Sequence, residues 1–416
     1  MKKIKKQLLE TISNNTQYEG CTFYLQKQRR YRLQNCVFHN CSFRNHVVFS
    51  HLQNCKFENC GFSGECVFDL SQQDLQQIPK WIFSFPEITE LNLSKNKLRT
   101  LPIEITQLHK LQQLNLSQNK ISVLPFELWQ LPNLQQLNLS KNNIRSVPEE
   151  LEQLHHLLEL NLSKNSINNL PQQLWRMNHL RFLSLSNNHL TTLPSEIAQL
   201  QNLTYLSVVG NKLTSLPPQI GELQKLTRLY LSHNYLTHIP PELGKLHNVQ
   251  VLFISNNKIC DLPNEFGELR SLTRLSLENN HLQNLPEEFA QLHQLVTLSL
   301  AHNEFTTMPH PLCKLSRLTN LSIHHNQIHT IPKEIQQLQS IYGLNLSYNK
   351  LDEIPQDFLY LKNLTRVNVS GNQICHFPTK IREMPSLNEL YIADNLLTTE
   401  QRSFLKNNLR NCDILF

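Results

Sequence analysis

The sequence predicts an α/β solenoid in which a parallel β-sheet alternates with short helical returns. Asn96 begins a series of fourteen asparagines spaced 23 residues apart, and the series ends at Asn395. Alternating leucines before each asparagine are typical of a half-buried strand. A proline follows each of these asparagines by six residues, up to Pro378. A fixed period indicates stacked coils, so the 416 residues are expected to form one elongated array instead of several globular domains.

Each coil is interpreted as a strand, a turn and a short return. In the first coil, Leu91 and Leu93 supply the buried side of the strand, and Asn96 lies where the backbone leaves the sheet. An Asn side chain both donates and accepts hydrogen bonds, so it can satisfy backbone groups that would cost about 1–3 kcal/mol each if left unpaired. Pro102 presets φ where the return begins, and Glu104 suits the positive end of a short helix.

The pattern L-x-x-L-x-L-x-x-N-x-L, which begins at Ile88 here, resembles the leucine-rich repeat signature. Its 23-residue period is similar to the intracellular class found in Ras-pathway scaffolds and in many bacterial repeat proteins. The resemblance implies a concave parallel sheet, short convex helices and a protein partner. Some bacterial effectors of this type carry a ubiquitin-ligase domain after the repeats, and the roughly twenty residues that follow Leu397 are too few for one.

A shorter period of five occupies residues 19–68. Residues 35–39 read N-C-V-F-H, residues 40–44 read N-C-S-F-R, and the pattern returns twice further along. It resembles pentapeptide repeats, which implies a short β-helix with the phenylalanine and the small residue pointing inward. Two features depart from that family: the Asn lies two residues after the central residue, and the frame slips by one between Val48 and Leu52.

The predicted organisation has four parts. Ile4, Leu8 and Ile12 share one face of a predicted N-terminal helix that would cover the apolar end of the stack. The C-terminal segment resembles the cap of bacterial leucine-rich repeat proteins, with a helix and a final strand that closes the sheet edge. The parts are a capping helix (1–18), a pentapeptide-repeat-like β-helix (19–68), a leucine-rich repeat solenoid (69–397) and a C-terminal cap (398–416).

Charge and motif content exclude several functions. The formal charge is +6, and residues 1–50 contribute nine Lys/Arg against two Glu, so the remainder carries about −1. The repeat array therefore lacks the basic field that drives nucleic-acid binding, and no apolar run is long enough to span a membrane. The sequence contains no H-E-x-x-H, no G-x-S-x-G and no phosphate-binding glycine loop. It predicts a non-enzymatic protein without a cofactor or a metal.

Two observations predict a cytoplasmic location. The N-terminus is basic but lacks the apolar core of a secretory signal. Asn-Leu-Ser sequences, among them those at Asn92, Asn115, Asn138, Asn161 and Asn345, match glycosylation acceptors, which would place sugar on the concave face in a eukaryotic secretory route. If the protein is a bacterial effector, delivery into a host cell is expected instead.

Aromatic and apolar residues interrupt the polar surface of the middle coils. Positions six, four and two residues before each marker Asn are predicted to face out of the sheet, and most coils place Ser or Asn there, such as Asn92 and Ser94. An exposed aromatic patch rimmed by arginine is typical of a protein-binding hot spot. The alternative is ladder stacking that only stiffens the sheet. The predicted partner-binding residues are Phe182, Tyr205, Val209, Arg228, Tyr230, His233, Tyr235, Val251, Phe253 and Arg274.

The leading hypothesis is a scaffold that binds a protein partner on the concave face. The resemblance to Ras-pathway scaffolds implies a signalling partner such as a small GTPase. The alternative is a metal- or redox-responsive protein that uses the cysteines of the short repeat, which would stack in pairs if four pentapeptides make one coil. These four are otherwise interpreted as small buried apolar residues. They are Cys36, Cys41, Cys55 and Cys60.

A group of histidines lies further along the array. His302, His324 and His325 occupy adjacent coils at positions next to the marker asparagines. Imidazoles this close can bind a metal or sense pH. The sequence alone favours interpreting them as solvated repeat residues.

Overall fold

A computed structural model describes residues 1–26, 30–45 and 47–416 of the chain. The chain forms two compact units, Met1–Leu190 and Thr191–Phe416, called here the N-terminal and C-terminal units. The strands of the N-terminal unit are β1 (Lys2–Lys5), β2 (Leu8–Leu9), β3 (Thr16–Glu19), β4 (Thr22–Tyr24), β5 (Arg30–Gln34), β6 (Val37–His39), β7 (Ser42–Arg44), β8 (Val47–Gln53), β9 (Lys56–Glu58), β10 (Gly61–Phe62), β11 (Cys66–Asp69), β12 (Ile88–Asn92), β13 (Gln113–Asn115), β14 (Gln136–Asn138), β15 (Glu159–Asn161) and β16 (Phe182–Ser184).

The first eleven strands form parallel columns around an aromatic core. β1, β3, β6 and β9 make one column, and β2, β4, β7 and β10 make another. Phe38 stacks between Tyr18 and Phe57, with ring centroids 5.1 and 4.7 Å away. Phe43 stacks between Phe23 and Phe62 at 4.8 and 4.7 Å. The short parallel sheets and inward rings are those of a β-helix.

The helix predicted over residues 1–18 is wrong, because this segment forms strands of the same β-helix. β1 pairs with β3 and aligns Ile4 with Tyr18, and β2 pairs with β4 and aligns Leu9 with Phe23. Leu8 is 76% exposed. The inward residues are thus five apart, which is one side of a coil, and the four-residue spacing of Ile4, Leu8 and Ile12 does not describe the packing.

Asparagines turn the corners of the β-helix. Asn15, Asn35, Asn40, Asn54 and Asn59 have φ values between 50° and 54°, in the left-handed region. Asn is one of the few residues other than Gly that enters this region at low cost. The repeated Asn-Cys pairs therefore mark corners, and the cysteine after each corner asparagine is buried at Cys36, Cys41 and Cys55 and half-buried at Cys60.

The two repeat types share one sheet in the N-terminal unit. β11 pairs with β8 on one side and with β12 on the other. From β12 to β16 the strands are parallel and in register, with Leu91 aligned to Leu114 and Leu114 to Leu137. The leucine core therefore continues the aromatic core without a linker.

Short returns follow the prolines, as the spacing predicts. Pro102 precedes the first full return with φ −80° and ψ 158°, and it makes no side-chain cap. Most returns are single 3₁₀ turns, which pack closely against the next coil. In the N-terminal unit they span Lys80–Ser84, Ile103–Gln107, Phe126–Gln130 and Glu149–Gln153, with one α-helix, α1, at Gln172–Trp175.

The C-terminal unit repeats this coil. Its strands are β17 (Tyr205–Ser207), β18 (Arg228–Tyr230), β19 (Val251–Phe253), β20 (Arg274–Ser276), β21 (Thr297–Ser299), β22 (Asn320–Ser322), β23 (Gly343–Asn345), β24 (Arg366–Asn368), β25 (Glu389–Tyr391) and β26 (Asp413–Leu415). Its 3₁₀ returns span Ser195–Gln199, Pro218–Glu222, Pro241–Lys245, Asn264–Glu268, Glu287–Gln291, Lys333–Gln337, Gln356–Tyr360 and Ile381–Glu383, and its α-helices are α2 (His310–Cys313) and α3 (Thr399–Asn408).

The marker asparagines form a buried hydrogen-bond ladder. Asn257 donates from Nδ2 to the carbonyl oxygens of Leu231, at 3.2 Å, and Ile254, at 2.9 Å. Its Oδ1 accepts from the amide of Leu236 at 3.0 Å. Leu231 and Leu236 belong to the preceding coil, so one side chain ties two coils together. The role predicted for the marker asparagine is confirmed by these bonds.

The residue before each marker is left-handed. Lys95, His233, His302 and Tyr348 have φ values of 56°, 58°, 53° and 53°. This conformation turns the backbone into the Asn ladder, which compensates for its intrinsic cost of about 1–2 kcal/mol.

The chain ends in a helix and a strand. The side chain of Thr398 accepts a hydrogen bond from the Gln401 amide at the start of α3. β26 then pairs with β25, which covers an otherwise open sheet edge. Within the described residues, no helix combines the length and the apolar character needed to cross a bilayer.

Candidate functional site

Three aromatic rings contact one another on the sheet of the C-terminal unit. The ring centroids of Tyr205 and Tyr230 are 5.3 Å apart, and those of Tyr230 and Phe253 are 5.4 Å apart. The Tyr230–Phe253 pair is edge-to-face, a favourable arrangement for aromatic rings. All three side chains are half-buried. Each ring therefore keeps one side against its neighbours and another toward solvent, and we call these three residues the ring cluster.

A row of cationic and apolar side chains flanks the ring cluster. β18, β19 and β20 align Arg228 with Val251 and Val251 with Arg274. Both arginines are exposed and Val251 is half-buried. Within the described part of the chain neither guanidinium has an ion-pair partner. The row places two free positive charges beside the aromatic surface.

The serines that follow Tyr230 and Phe253 by two residues are buried. Ser232 and Ser255 are 9% and 8% exposed. The amide of Ser255 donates to Oγ of Ser232 at 3.1 Å, and the Ser255 and Ser276 hydroxyls are 2.6 Å apart. The expectation that residues two before the marker face solvent is therefore wrong for these serines, whose small hydroxyls bond along the sheet and stay covered.

Val209, His233 and Tyr235 lie in other columns of the sheet. His233 contacts Asn256 through Nε2 at 3.5 Å, and the ring of Tyr235 lies under the ammonium of Lys258 at 5.3 Å. Val209 is half-buried next to Gly210. Phe182 belongs to the N-terminal unit, where it aligns with Glu159. Of the nine predicted residues in the C-terminal unit, the structure brings six together: the ring cluster, Arg228, Val251 and Arg274.

Burial governs the electrostatics of the ring cluster. Burial raises the pKa of the Tyr205 hydroxyl, and a hydrogen bond with Ser207 opposes this shift. The phenol is therefore neutral at physiological pH and can donate a hydrogen bond. The surface offers aromatic faces, a phenol and two guanidiniums, groups that can contact apolar and anionic side chains.

Three histidines lie close together further along the C-terminal unit, just before the marker asparagines of two adjacent coils. The ring centroids of His302 and His325 are 4.2 Å apart, and Nδ1 of His324 lies 2.7 Å from Nδ1 of His325. In the described residues, this is the one group of three or more His, Cys, Asp or Glu side chains whose possible ligand atoms all lie within 4.8 Å of one another. The sequence names these residues but does not show that they converge.

The cysteines of the β-helix stack in the predicted pairs. β6 and β9 align Val37 with Lys56, which places Cys55 next to Cys36, and β7 and β10 place Cys60 next to Cys41 in the same way. A hydrogen bond with the Cys55 thiol lowers the pKa of Cys36 to about 7, and the same contact, with burial, raises the pKa of Cys55. These thiols do not form part of a three-ligand cluster in the described residues.

Comparison with known proteins identifies the repeat. A leucine-rich repeat region model matches residues 171–254 and 237–326. A leucine rich repeat model matches residues 67–121, 86–144, 132–190 and 316–374. Together the two models extend over residues 67–374. None of the curated proteins matches the chain.

Solved structures agree with the family models. A leucine-rich repeat protein of Leptospira interrogans is 33% identical, and the match covers 84% of this chain and 95% of that one with a TM-score of 0.74. An internalin of Listeria monocytogenes is 24% identical over 78% of this chain and 85% of its own, with a TM-score of 0.61. A plant peptide hormone receptor, solved in complex with RGF2, is 24% identical over 99% and 77%, also with a TM-score of 0.61. The last two share the fold, and the first, with the family models, shows that the chain belongs to the leucine-rich repeat family.

Proposed function

We propose that this chain is a protein-binding scaffold whose partner contacts the ring cluster of Tyr205, Tyr230 and Phe253. Leucine-rich repeat proteins are generally protein–protein interaction scaffolds and are typically non-enzymatic. The observation that supports this site is the contact of three half-buried rings on a sheet whose neighbouring coils carry serine. Packed aromatic side chains with an arginine rim are the composition of interface hot spots.

The chemistry of the flanking row specifies the partner. Arg228 and Arg274 lie on either side of Val251 and carry no internal ion pair in the described residues. Arginine binds a carboxylate through two parallel hydrogen bonds. We therefore expect a protein surface with an apolar or aromatic anchor between acidic residues.

A double substitution tests the site. Phe253 aligns with Ser276, which aligns with Ser299, so Ser at residue 253 is the side chain that the next coils already use. Tyr230→Ser with Phe253→Ser should weaken binding by about 2–4 kcal/mol, which is roughly a 30- to 700-fold increase in Kd. The partner is first captured with the wild-type chain and identified by mass spectrometry, and Kd is then measured with the purified pair.

Exposed tyrosines elsewhere in the same unit provide a matched control. Tyr342 and Tyr360 are 50% and 56% exposed and lie outside the ring cluster. Tyr342→Ser with Tyr360→Ser should leave Kd within about twofold of the wild-type value. An unchanged Kd in the Tyr230/Phe253 variant, or an equal loss in the control, rejects the site.

A signalling role and a cytoplasmic location are part of this proposal. The ten cysteines are all free thiols, a state that a reducing compartment preserves. The resemblance to Ras-pathway scaffolds favours a signalling protein, such as a small GTPase, as the partner. Identification of the captured protein and fractionation of the source cells test both statements.

A second candidate function is redox sensing by the stacked thiols of the β-helix. The pair of Cys36 and Cys55 supports it, because a thiol with a pKa of about 7 is partly ionised at neutral pH and ionised thiols are the reactive form. Both residues are buried, which opposes access. The function requires that Cys36 reacts with a thiol reagent faster than exposed Cys260 in the native protein, and equal or slower reaction dismisses it.

A further inference from the structure

The three converging histidines come from two adjacent coils of the C-terminal unit. His302 precedes the marker Asn303, and His324 and His325 precede the marker Asn326. The His302 amide donates to the His324 carbonyl at 2.9 Å, so the two coils are hydrogen-bonded where the rings meet. The His325 ring also packs on Tyr348, with centroids 4.4 Å apart.

The backbone beneath these rings is held in place. His302 and His325 both have left-handed φ values, 53° and 52°. Asn326 donates to the carbonyl oxygens of Ile323 and His324 at 3.0 and 3.2 Å. Because the ladder fixes the backbone, only rotation of the side chains is needed to bring the three rings to a common point.

We propose that His302, His324 and His325 form a binding site for one divalent transition-metal ion of the kind that prefers imidazole, with Zn²⁺ as its representative. Their ligand nitrogens already lie within 4.8 Å of one another. Two nitrogens on one tetrahedral Zn²⁺ are roughly 3.3 Å apart, because each Zn–N bond is about 2.0–2.1 Å long. The most distant nitrogens must close by about 1.5 Å at most, and the Nδ1 atoms of His324 and His325, which are 2.7 Å apart, must separate slightly. Rotation about χ2 of a histidine allows both movements.

The protonation of the cluster suits a cation. Burial lowers the pKa of His324, and His325 and His302 lower it further by repulsion. Burial and His302 lower the pKa of His325. Neutral imidazole is the form that ligates metals. His324 and His325 therefore present lone pairs at neutral pH.

The site is separate from the ring cluster. Its residues lie two to five coils further along the array, and neither Arg228 nor Tyr230 takes part in it. A three-histidine site leaves at least one coordination position for water or another ligand. If the metal site is disproved, the proposed protein-binding surface is unaffected. If the protein-binding surface is disproved, the metal site is likewise unaffected.

Substitutions that the array itself uses allow a test without unfolding. Asn occupies the left-handed position at Asn256 and Asn279, so His302→Asn and His325→Asn preserve the backbone. A control variant removes two exposed histidines from the other unit, His155→Gln and His156→Gln, which lie outside any three-ligand cluster in the described residues.

Zinc chloride is titrated into each full-length, metal-free protein by calorimetry at pH 7.5. We expect one tight site in the wild type and the His155/His156 control, and at least a 30-fold increase in Kd in the His302/His325 variant. X-ray absorption of the zinc-loaded wild type should show three imidazole nitrogens at the metal. Equal zinc affinity in the His302/His325 variant and the wild type, or an equal loss in the control, overturns the proposal, as does an absorption spectrum with fewer imidazoles.

Discussion

The ring of Tyr348 lies over Gly371 in the next coil, and a Cβ built on Gly371 would be 2.5 Å from Cδ1 of that ring. Gly371 also has a φ of 66°. The space beneath the Tyr348 ring therefore favours glycine at this position, and glycine adopts the left-handed backbone at the lowest cost, although other coils place Lys, His or Asn in the same conformation. The tyrosine ring in turn packs on His325, so this glycine supports the aromatic column that borders the histidine cluster.

Substitution of Gly371 should destabilise the C-terminal unit. Gly371→Ala combines left-handed strain of about 1–2 kcal/mol with displacement of the Tyr348 ring. Gly371→Asn relieves most of the strain but keeps the collision. Urea unfolding should rank wild type above Asn and Asn above Ala. If both variants match the wild type, the contact between residues 348 and 371 has no energetic role.

Removing a marker asparagine should be costly inside the array and less costly at its end. Asn349 is 7% exposed and bonds the Ile323 and Leu346 carbonyls and the Ile328 amide. Asn349→Ala leaves these groups buried and unpaired, for a loss of about 2–4 kcal/mol in unfolding free energy.

Asn395 is the matched control for that substitution. It makes equivalent bonds but is only half-buried, so water can replace the amide. Asn395→Ala should cost less than half as much as Asn349→Ala in the same urea experiment. Equal losses would mean that burial does not set the strength of the ladder.

Close packing between neighbouring returns should make one glycine irreplaceable. A Cβ on Gly244 would lie 2.1 Å from the carbonyl oxygen of Glu265, and this contact involves rigid backbone. Gly244→Ala should lower the unfolding free energy by about 1–3 kcal/mol, as overpacked sites do. Gly61, which has no neighbour within 4 Å of such a Cβ, is the control, and Gly61→Ala should change stability little.

An ion pair at the end of the array gives a pH prediction. Arg366 donates to both oxygens of Glu389 at 2.7 and 2.9 Å, and with Tyr391 it lowers the pKa of Glu389 to about 2. The folded pKa lies below the ordinary value of 4.5, so the pair stabilises the fold fully above pH 4.5. Its contribution is lost as pH falls from 4.5 toward 2.

The titration of Glu389 tests this pair directly. In Arg366→Gln, the pKa of Glu389 followed by carboxyl-carbon NMR should rise toward its ordinary value. Arg228→Gln, which removes an arginine without an ion pair in the described residues, should leave the Glu389 titration unchanged. A Glu389 pKa that stays near 2 without Arg366 assigns the shift to another group.

The period of the array made most of the fold predictable. Leucines at alternating positions, the marker asparagine and the proline each have one physical role, and the 23-residue spacing repeats those roles. The prediction of an N-terminal helix is wrong because the spacing of Ile4, Leu8 and Ile12 also fits one face of a helix. Only the pairing of Ile4 with Tyr18 shows that the segment belongs to a β-helix. The spacing of apolar residues within the segment cannot distinguish a helix from a β-helix, since the strands that pair with it come from later residues.

The binding surface was less predictable than the fold. The sequence identifies Tyr230 and Phe253 as departures from serine, and their alignment on adjacent strands follows from the period. Proximity in sequence groups His233 and Tyr235 with them, but the left-handed turn places these two side chains in other columns. The same turn brings His302 and His325 into contact, which a list of outward positions does not show.

Each marker asparagine bonds to its own coil and to the one before it. The hydrogen bonds of the ladder are therefore the same whichever coil of the array comes before. Excision of one whole period from the C-terminal unit, such as residues 281–303, would let Asn326 meet the carbonyl that Asn303 now contacts. A cut of any other length would put a different side chain at that point. The array is therefore divisible only in units of 23 residues, and its length can change by whole coils while the hydrogen bonding of the asparagine ladder stays the same.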